Sequence, residues 1–468
     1  MKVKFCSLTG EVITPNDIEY DKLRQEWNRA IQRYPIAIIY CYNNCDVSNA
    51  IIWARCNIIP IRIRSGGHNY QGFSTGNAVL VIDISNLDYF KINEDMNYIK
   101  VGGGIKNKKL YAELTSRGYP FPGGTCPTVG VSGFVTGGGW GLSCRKFGLG
   151  CDSLLEIEMI NYKGKLIKAN NFKNTDLFWA IKGSGGGNYG VIVSMTFSLP
   201  KQKVNNISLF TLYYPNASLT TQFDFFNTWQ NWIVNANKNI NMRAGIYNSA
   251  SDGIYSYALG LSYLDKDTTS KNLTPFLNIP GCIFNIEYIP LQDAINKIQS
   301  TYPPYEYFKS ASRFSYKYYD SNSIYELLKI INNNRPKGSY LTALNMYGLG
   351  GKVSDICSNE TAFYYRNANY ILYIQTVFEN NNYLNINTEW VNTHYHYLSS
   401  LTCGNYINFP YYPLKNYEYE YYGNNISRIN KVKEKYDPYC IFTFPQGVGY
   451  QRFCNTSSLC KLNLSTRF

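Results

Sequence analysis

Between Gly66 and Gly190 the glycines gather into four clusters: Ser65-Gly66-Gly67-His68, Gly102-Gly103-Gly104, Gly123-Gly124 through Gly141, and Gly183-Ser184-Gly185-Gly186-Gly187-Asn188-Tyr189-Gly190. Glycine lets backbone N–H groups come close to a ligand, and phosphates are the usual beneficiary. Any single cluster is equally well explained as a tight turn. Four in one stretch point to a shared ligand. Strand-like runs separate them: Ile59 to Arg64 alternates isoleucine at period two, and Ala78 to Ile84 is a continuous β-branched run. Glu156 to Asn161 and Lys165 to Lys168 flank a Lys163-Gly164 hairpin turn. Helices are expected over Tyr20 to Tyr34 and over Asn107 to Arg117, the latter closed by Gly118.

Gly185 to Gly190 formally matches GxGxxG, the dinucleotide fingerprint. That fingerprint needs a helix after it, and Val191 to Phe197 reads as a strand, so the Rossmann assignment fails. No phosphate-loop motif with its lysine is present. From about Val204 to Leu401 glycine thins out and aromatic strand-like segments take over, such as Ser339 to Leu344 and Tyr370 to Gln375, with helices such as Thr221 to Asn235 between them. This predicts a second unit, a sheet with helices on one face. Near the end, Ile426, Ile429, Val432 and Tyr436 recur at helical spacing until Pro438 stops the helix.

Composition narrows the function. At 468 residues the chain is long enough for two or three domains. Its 45 Lys+Arg against 32 Asp+Glu give +13, but no basic stripe gathers that charge, so nucleic acid is not an expected partner. Three histidines cannot build a His-rich metal site, and the 13 cysteines contain no CxxC pair, so no metal is expected. No apolar run is long enough to span a bilayer, and Met1 to Ser7 lacks the apolar core of a secretory signal. A cytoplasmic protein with reduced thiols, without a membrane partner and acting as a monomer or weak oligomer, is the expectation.

Two long motifs carry a family resemblance. Arg64-Ser65-Gly66-Gly67-His68 and Gly124-Thr125-Cys126-Pro127-Thr128-Val129-Gly130-Val131-Ser132-Gly133 resemble those of the berberine-bridge-enzyme-like flavoprotein oxidases, of the vanillyl-alcohol-oxidase type. Thr136 to Gly141, Arg145 to Leu149 and Asp176 to Gly183 match further landmarks, as do Met346 to Asp355 and Val432 to Pro438. The resemblance implies an α+β fold. A two-lobed, discontinuous PCMH-type FAD-binding domain would comprise residues 1–203 and 413–468. A substrate domain, residues 204–412, would be inserted between its parts as an antiparallel sheet covered by helices.

It also implies FAD joined bicovalently, through His68 to the flavin 8α-methyl and through Cys126 to C6. The family's other cofactor contacts carry over to Arg64, Ser65, Gly66, Gly67 and Asn69; to Gly124, Thr125, Thr128, Val129, Gly130 and Gly133; to Gly137, Gly138, Gly139 and Gly141; and to Gly190, Val191 and Ile192. On the substrate side, Tyr406 matches the first tyrosine of the family's YxNY stretch and is the expected base, whereas the second tyrosine is Phe409 here. Gln375 matches a glutamine that lies beside substrate, and Tyr373 stands where many plant members carry lysine. Val129 occupies a position where valine permits oxygen access, and Phe134 replaces a histidine common in plant members.

The implied function is an FAD-dependent oxidase. It takes hydride from a C–OH of a small molecule, either a sugar or a secondary metabolite such as a phenolic or alkaloid, and passes the electrons to O2 to give H2O2. A flavin-dependent dehydrogenase with another acceptor and a catalytically degenerate flavin-binding protein are the alternatives.

Overall fold

The computed structural model describes Phe5 and residues 7–450. The rest of the N-terminal stretch and the end of the expected C-terminal return, residues 451–468, lie outside the described residues.

Three sheets build the molecule. The first holds β1 (Glu11–Ile13), β2 (Ala37–Tyr40), β3 (Ile61–Arg64) and β4 (Leu80–Asp83) in the order β1-β2-β4-β3. Strands β2 and β3 run parallel to β4, and β1 is antiparallel to β2. The continuous apolar run predicted for β4 fits a parallel strand covered on both faces. The helix Asn44–Cys56 packs Val47, Ile51 and Ala54 against it, and the Asn43 side chain caps that helix by accepting from the Cys45 and Asp46 N–H groups.

The second sheet is antiparallel throughout, with β5 (Phe90–Asn93), β6 (Tyr98–Gly102), β7 (Leu154–Ile160), β8 (Leu166–Asn170) and β9 (Val191–Ser198) in the order β5-β6-β9-β7-β8. The Lys163-Gly164 turn joins β7 to β8, with Gly164 at φ +71°. The chain after Gly190 is a strand, as its β-branched run predicts.

The third sheet has β10 (Asn206–Tyr214), β11 (Ile240–Ser249), β12 (Gly253–Ser262), β13 (Ile283–Pro290), β14 (Tyr307–Ser315), β15 (Ser339–Gly348) and β16 (Tyr370–Phe378). Their order is β13-β10-β12-β11-β15-β16-β14, every pair antiparallel. Side chains alternate between faces at period two. Ala244, Leu344 and Ile374 form a core with the helices Leu219–Asn235, Ser321–Asn332 and Leu384–Leu401. The other face carries Arg243, Tyr247, Asn345, Tyr347, Tyr373 and Gln375, and it fronts a cavity. The α+β class is therefore observed.

After the third sheet the chain returns to the first two. The helix Ile426–Tyr436 ends just before Pro438, as its spacing predicts. Its buried Lys433 donates to the carbonyls of Asn188 (2.6 Å) and Phe442 (2.6 Å) and pairs with Asp437 (2.7 Å), tying the return to the Gly183–Gly190 loop.

Two expectations are corrected. The helix expected over Tyr20 to Tyr34 spans only Tyr20–Leu23. Beyond it, Trp27 N–H donates to the Gly67 carbonyl (2.9 Å) and the Asn28 amide donates to the Tyr70 and Phe308 carbonyls (3.2 Å each). Tertiary bonds override helical ones there. The cluster Gly102-Gly103-Gly104 does not line the cavity. A Cβ on Gly103 would collide with the Ile192 carbonyl and one on Gly104 with that of Ile84, so these glycines let backbones cross.

Candidate active site

The first and second sheets, the third sheet and the C-terminal return enclose a cavity of about 590 Å³. One wall is made of glycine loops. Gly66 and Gly130 meet backbone to backbone, and a Cβ on either would strike the other loop. That contact joins the His68 loop to the Cys126 loop. The result is a trio: His68 Nε2 lies 2.8 Å from Thr128 Oγ1, and Cys126 Sγ lies 3.6 Å from the same oxygen. Trp27 stacks on the His68 ring, centroids 5.0 Å apart at 24°. Burial, with help from Lys106, pushes His68 down to about 3, so its imidazole is neutral at physiological pH and a ring nitrogen can offer its lone pair. Burial pushes the Cys126 thiol up, opposed by hydrogen bonds from Thr128 and Val129.

This wall fits a flavin dinucleotide. Among the described residues no acceptor meets the N–H groups of Gly66, Gly67 and His68, which suits an anionic pyrophosphate. Gly133 lines the cavity with nothing within 4 Å of the place a Cβ would take, leaving a flat space against the helix Val131–Thr136. The wall supplies both groups capable of attachment, His68 and Cys126.

The opposite wall is the aromatic face of the third sheet. Gln375 sits there between Tyr373 and Val377 on β16, all three toward the cavity. Phe409 also faces the cavity and stacks on Tyr70, with centroids 5.1 Å apart and an interplanar angle of 5°. Desolvation holds the phenols of Tyr70, Tyr347 and Tyr373 well above the ordinary tyrosine value, so they are protonated. Glu306, just before β14, is the one carboxyl group among the lining residues described. Its side chain has no hydrogen-bond or ion-pair partner among the described residues, and desolvation raises it to about 7.

A relative in Bacillus subtilis (strain 168), described as an uncharacterized FAD-linked oxidoreductase, is 32% identical over 94% of this chain and 97% of its own. The chain belongs to the berberine-bridge-enzyme-like family of FAD-linked oxidoreductases. A family model described as an FAD binding domain matches residues 35–170, and one described as "Berberine and berberine like" matches residues 405–449. A carbohydrate oxidase of Microdochium nivale is 26% identical over 93% of this chain and 92% of its own. Among solved structures, BBE-like 1 of Physcomitrella patens superposes with a TM-score of 0.86 at 26% identity, covering 95% of this chain and 98% of that one. FAD is the cofactor, and the enzyme class is an FAD-dependent oxidase.

Of the positions carried over from the berberine-bridge-enzyme-like family, the structure brings Ser65, Gly66, Gly67, His68 and Asn69 to the cavity, together with Gly124, Thr125, Cys126, Val129, Gly130, Gly133, Gly190, Ile192 and Gln375. The structure places the others outside the cavity lining. Arg64 is buried below the loop, donating to Asp83 (2.5 Å), the Leu23 carbonyl (2.9 Å) and the Tyr40 hydroxyl (3.2 Å). Thr128 stands behind His68 and Cys126. Gly137, Gly138, Gly139 and Gly141 lie behind the wall, packed against Asn408, Phe363, Phe134 and the Gly123 backbone. Val191 alternates away from Gly190 and Ile192 into the core.

Tyr406 does not reach the cavity. It is 2% exposed, and its oxygen accepts from Gly139 N–H (3.1 Å), Trp140 N–H (2.9 Å) and the Asn408 amide (3.0 Å). Burial raises its phenol above the ordinary value. The cavity-facing position of the family's YxNY stretch is thus the one filled by Phe409. Sequence reasoning missed Glu306, Arg243, Trp27 and Tyr70. No motif surrounds any of them; only the scarcity of charge in an aromatic region, as at Thr301 to Tyr307, could have drawn attention to Glu306.

Proposed function

We propose that this enzyme oxidises an alcohol carbon of a small molecule with bicovalent FAD attached at His68 and Cys126, and passes the electrons to O2. The observation that carries this reading is the convergence of His68 and Cys126 on Thr128, at the wall of a cavity whose other wall is aromatic. When bound, FAD supplies the two-electron acceptor, so that an alcohol and O2 become a carbonyl compound and H2O2, the alcohol giving up its carbon-bound hydrogen and its hydroxyl proton. The chain's part is to orient substrate and hold the hydroxyl proton. Aromatic faces on the third sheet offer stacking surfaces for a sugar or phenolic ring, and Gln375 offers an amide for orientation. Glu306 Oε accepts the hydroxyl proton in place of the tyrosine expected there, because it is the one carboxyl group among the described lining residues and desolvation brings it to about 7. Val129 lines the cavity, which suits a role in oxygen access. The carbohydrate oxidase relative supports a polyol substrate. The FAD-binding unit would be residues 1–203 and 413–468, and the substrate unit residues 204–412.

A proton acceptor of pKa about 7 is active only when ionised, so kcat/KM is expected to rise as pH rises through about 7 and to be lost below it. Glu306→Gln is expected to flatten that limb and lower kcat/KM by roughly 10²–10⁴-fold. Peroxide release is measured alongside, one per alcohol oxidised. A pH limb unchanged in Glu306→Gln would refute the assignment. Flavin that no alcohol bleaches under anaerobic conditions would favour the flavin-binding alternative.

A further inference from the structure

The buried arginines of this fold have carboxylate or carbonyl partners. Arg64 pairs with Asp83 (2.5 Å), Arg313 with Glu420 (2.6 Å), Arg366 with Asp152 (2.7 Å) and Arg24 with Asp21 (2.8 Å). Arg145 is capped by the carbonyls of Ile233, Ala236, Ile240 and Leu349. Half-buried Arg243 is different. It projects from β11 into the cavity, donating to two hydroxyls, Tyr302 Oη (2.5 Å) and Thr301 Oγ1 (3.5 Å), and forms no ion pair among the described residues. Tyr247, Tyr257 and Tyr347 surround it. A guanidinium half withdrawn from water against an aromatic surface gains from an anion beside it.

We propose that Arg243 and Tyr302 form a carboxylate-binding subsite, and that the substrate is an acid carrying both a carboxylate and the oxidisable hydroxyl. This rests on the proposed reading of the cavity as a site of alcohol oxidation. Tyr302 Oη also lies 2.5 Å from Thr125 Oγ1, so an anion on Arg243 is held beside the loop that bears Cys126. The segment that fixes Arg243, Thr301-Tyr302, leads within four residues to Glu306. One end of a substrate can therefore be anchored at Arg243 while its hydroxyl meets the carboxylate. A carboxylate suits this subsite better than a phosphate. Arg243 offers a single planar fork, and the cavity's other arginine, Arg62, is engaged by the Ile61 (2.8 Å) and Thr443 (2.6 Å) carbonyls on β3, away from the aromatic face.

The test titrates the holoenzyme with matched pairs, galacturonate against galactose and benzoate against benzyl alcohol, reading the perturbed flavin spectrum and the heat of binding. At least one acid is expected to bind about 10–100-fold tighter than its neutral partner. The preference should vanish in Arg243→Met and survive in part in Arg243→Lys. Equal binding of acid and neutral members, absence of acid binding to the wild type, or an acid preference retained in Arg243→Met would overturn the subsite. So would flavin lost from a folded Arg243→Met, which would make FAD the anion served. The wild-type comparison decides even where the variant fails to fold. Turnover is scored separately by anaerobic bleaching: a protein that binds acids through Arg243 but is bleached by no alcohol keeps the anion subsite and loses the oxidation reading.

Discussion

The Tyr406 oxygen accepts three hydrogen bonds where water has no access, and two of the donors are the backbone amides of Gly139 and Trp140. Tyr406→Phe leaves both amides buried and unpaired. It is expected to destabilise the holoenzyme by about 1–3 kcal/mol, seen as a lower thermal midpoint. Its effect on kcat should be far smaller than that of Glu306→Gln; an equal loss would return Tyr406 to the proton-transfer role. The two tyrosine positions of the stretch separate by which way they face, and a motif does not carry that information. His68 and Cys126 were legible because each sits inside a long motif, and the structure brings them to one threonine. Glu306 and Arg243 were not legible. What distinguishes them is that neither meets a charged partner among the described residues, and partners are set by strands far apart in sequence.

In the helix Val131–Thr136, Gly133 faces open cavity while Gly137, just past the helix end, packs against Asn408. Gly133→Ala is expected to stabilise the fold by about 0.5–1 kcal/mol, as glycine is a poor helix former. Gly133→Leu should keep the fold but fill the flat space, lowering flavin content on purification. Unchanged flavin per chain in Gly133→Leu would show that the space is not the cofactor's. The glycine clusters alone could not distinguish these uses. Three of the four contribute to the cavity and the Gly102–Gly104 cluster lets backbones cross, a difference that only the facing carbonyls of Ile84 and Ile192 reveal. Periodicity served better for regular elements. Strand β3 and the helix Ile426–Tyr436 were readable from spacing, whereas beyond Leu23 long-range bonds from Trp27 and Asn28 replaced helical ones.

The molecule closes around its cavity through the C-terminal return, and Lys433 is a principal tie. Lys433→Met removes the cation from buried Asp437, which then keeps only the N–H groups of Ile441 and Phe442. Unpairing a buried ion in this way is expected to cost about 3–5 kcal/mol, with a lower thermal midpoint and earlier release of the return to proteolysis. The change from a glycine-rich to an aromatic-rich stretch marked where the third sheet begins, and the α+β class was implied by the family resemblance. The enclosure of one cavity by all three sheets was not legible, since it depends on side chains such as Arg145 and Lys433 reaching distant backbone carbonyls. What that cavity holds can be read from the intact mass of the denatured chain. Wild type is expected to carry the mass of one FAD, His68→Ala and Cys126→Ala each to retain flavin through the remaining attachment, and the double variant to carry none. A wild-type chain at its bare mass, with all FAD released on denaturation, would rule out covalent attachment at His68 and Cys126.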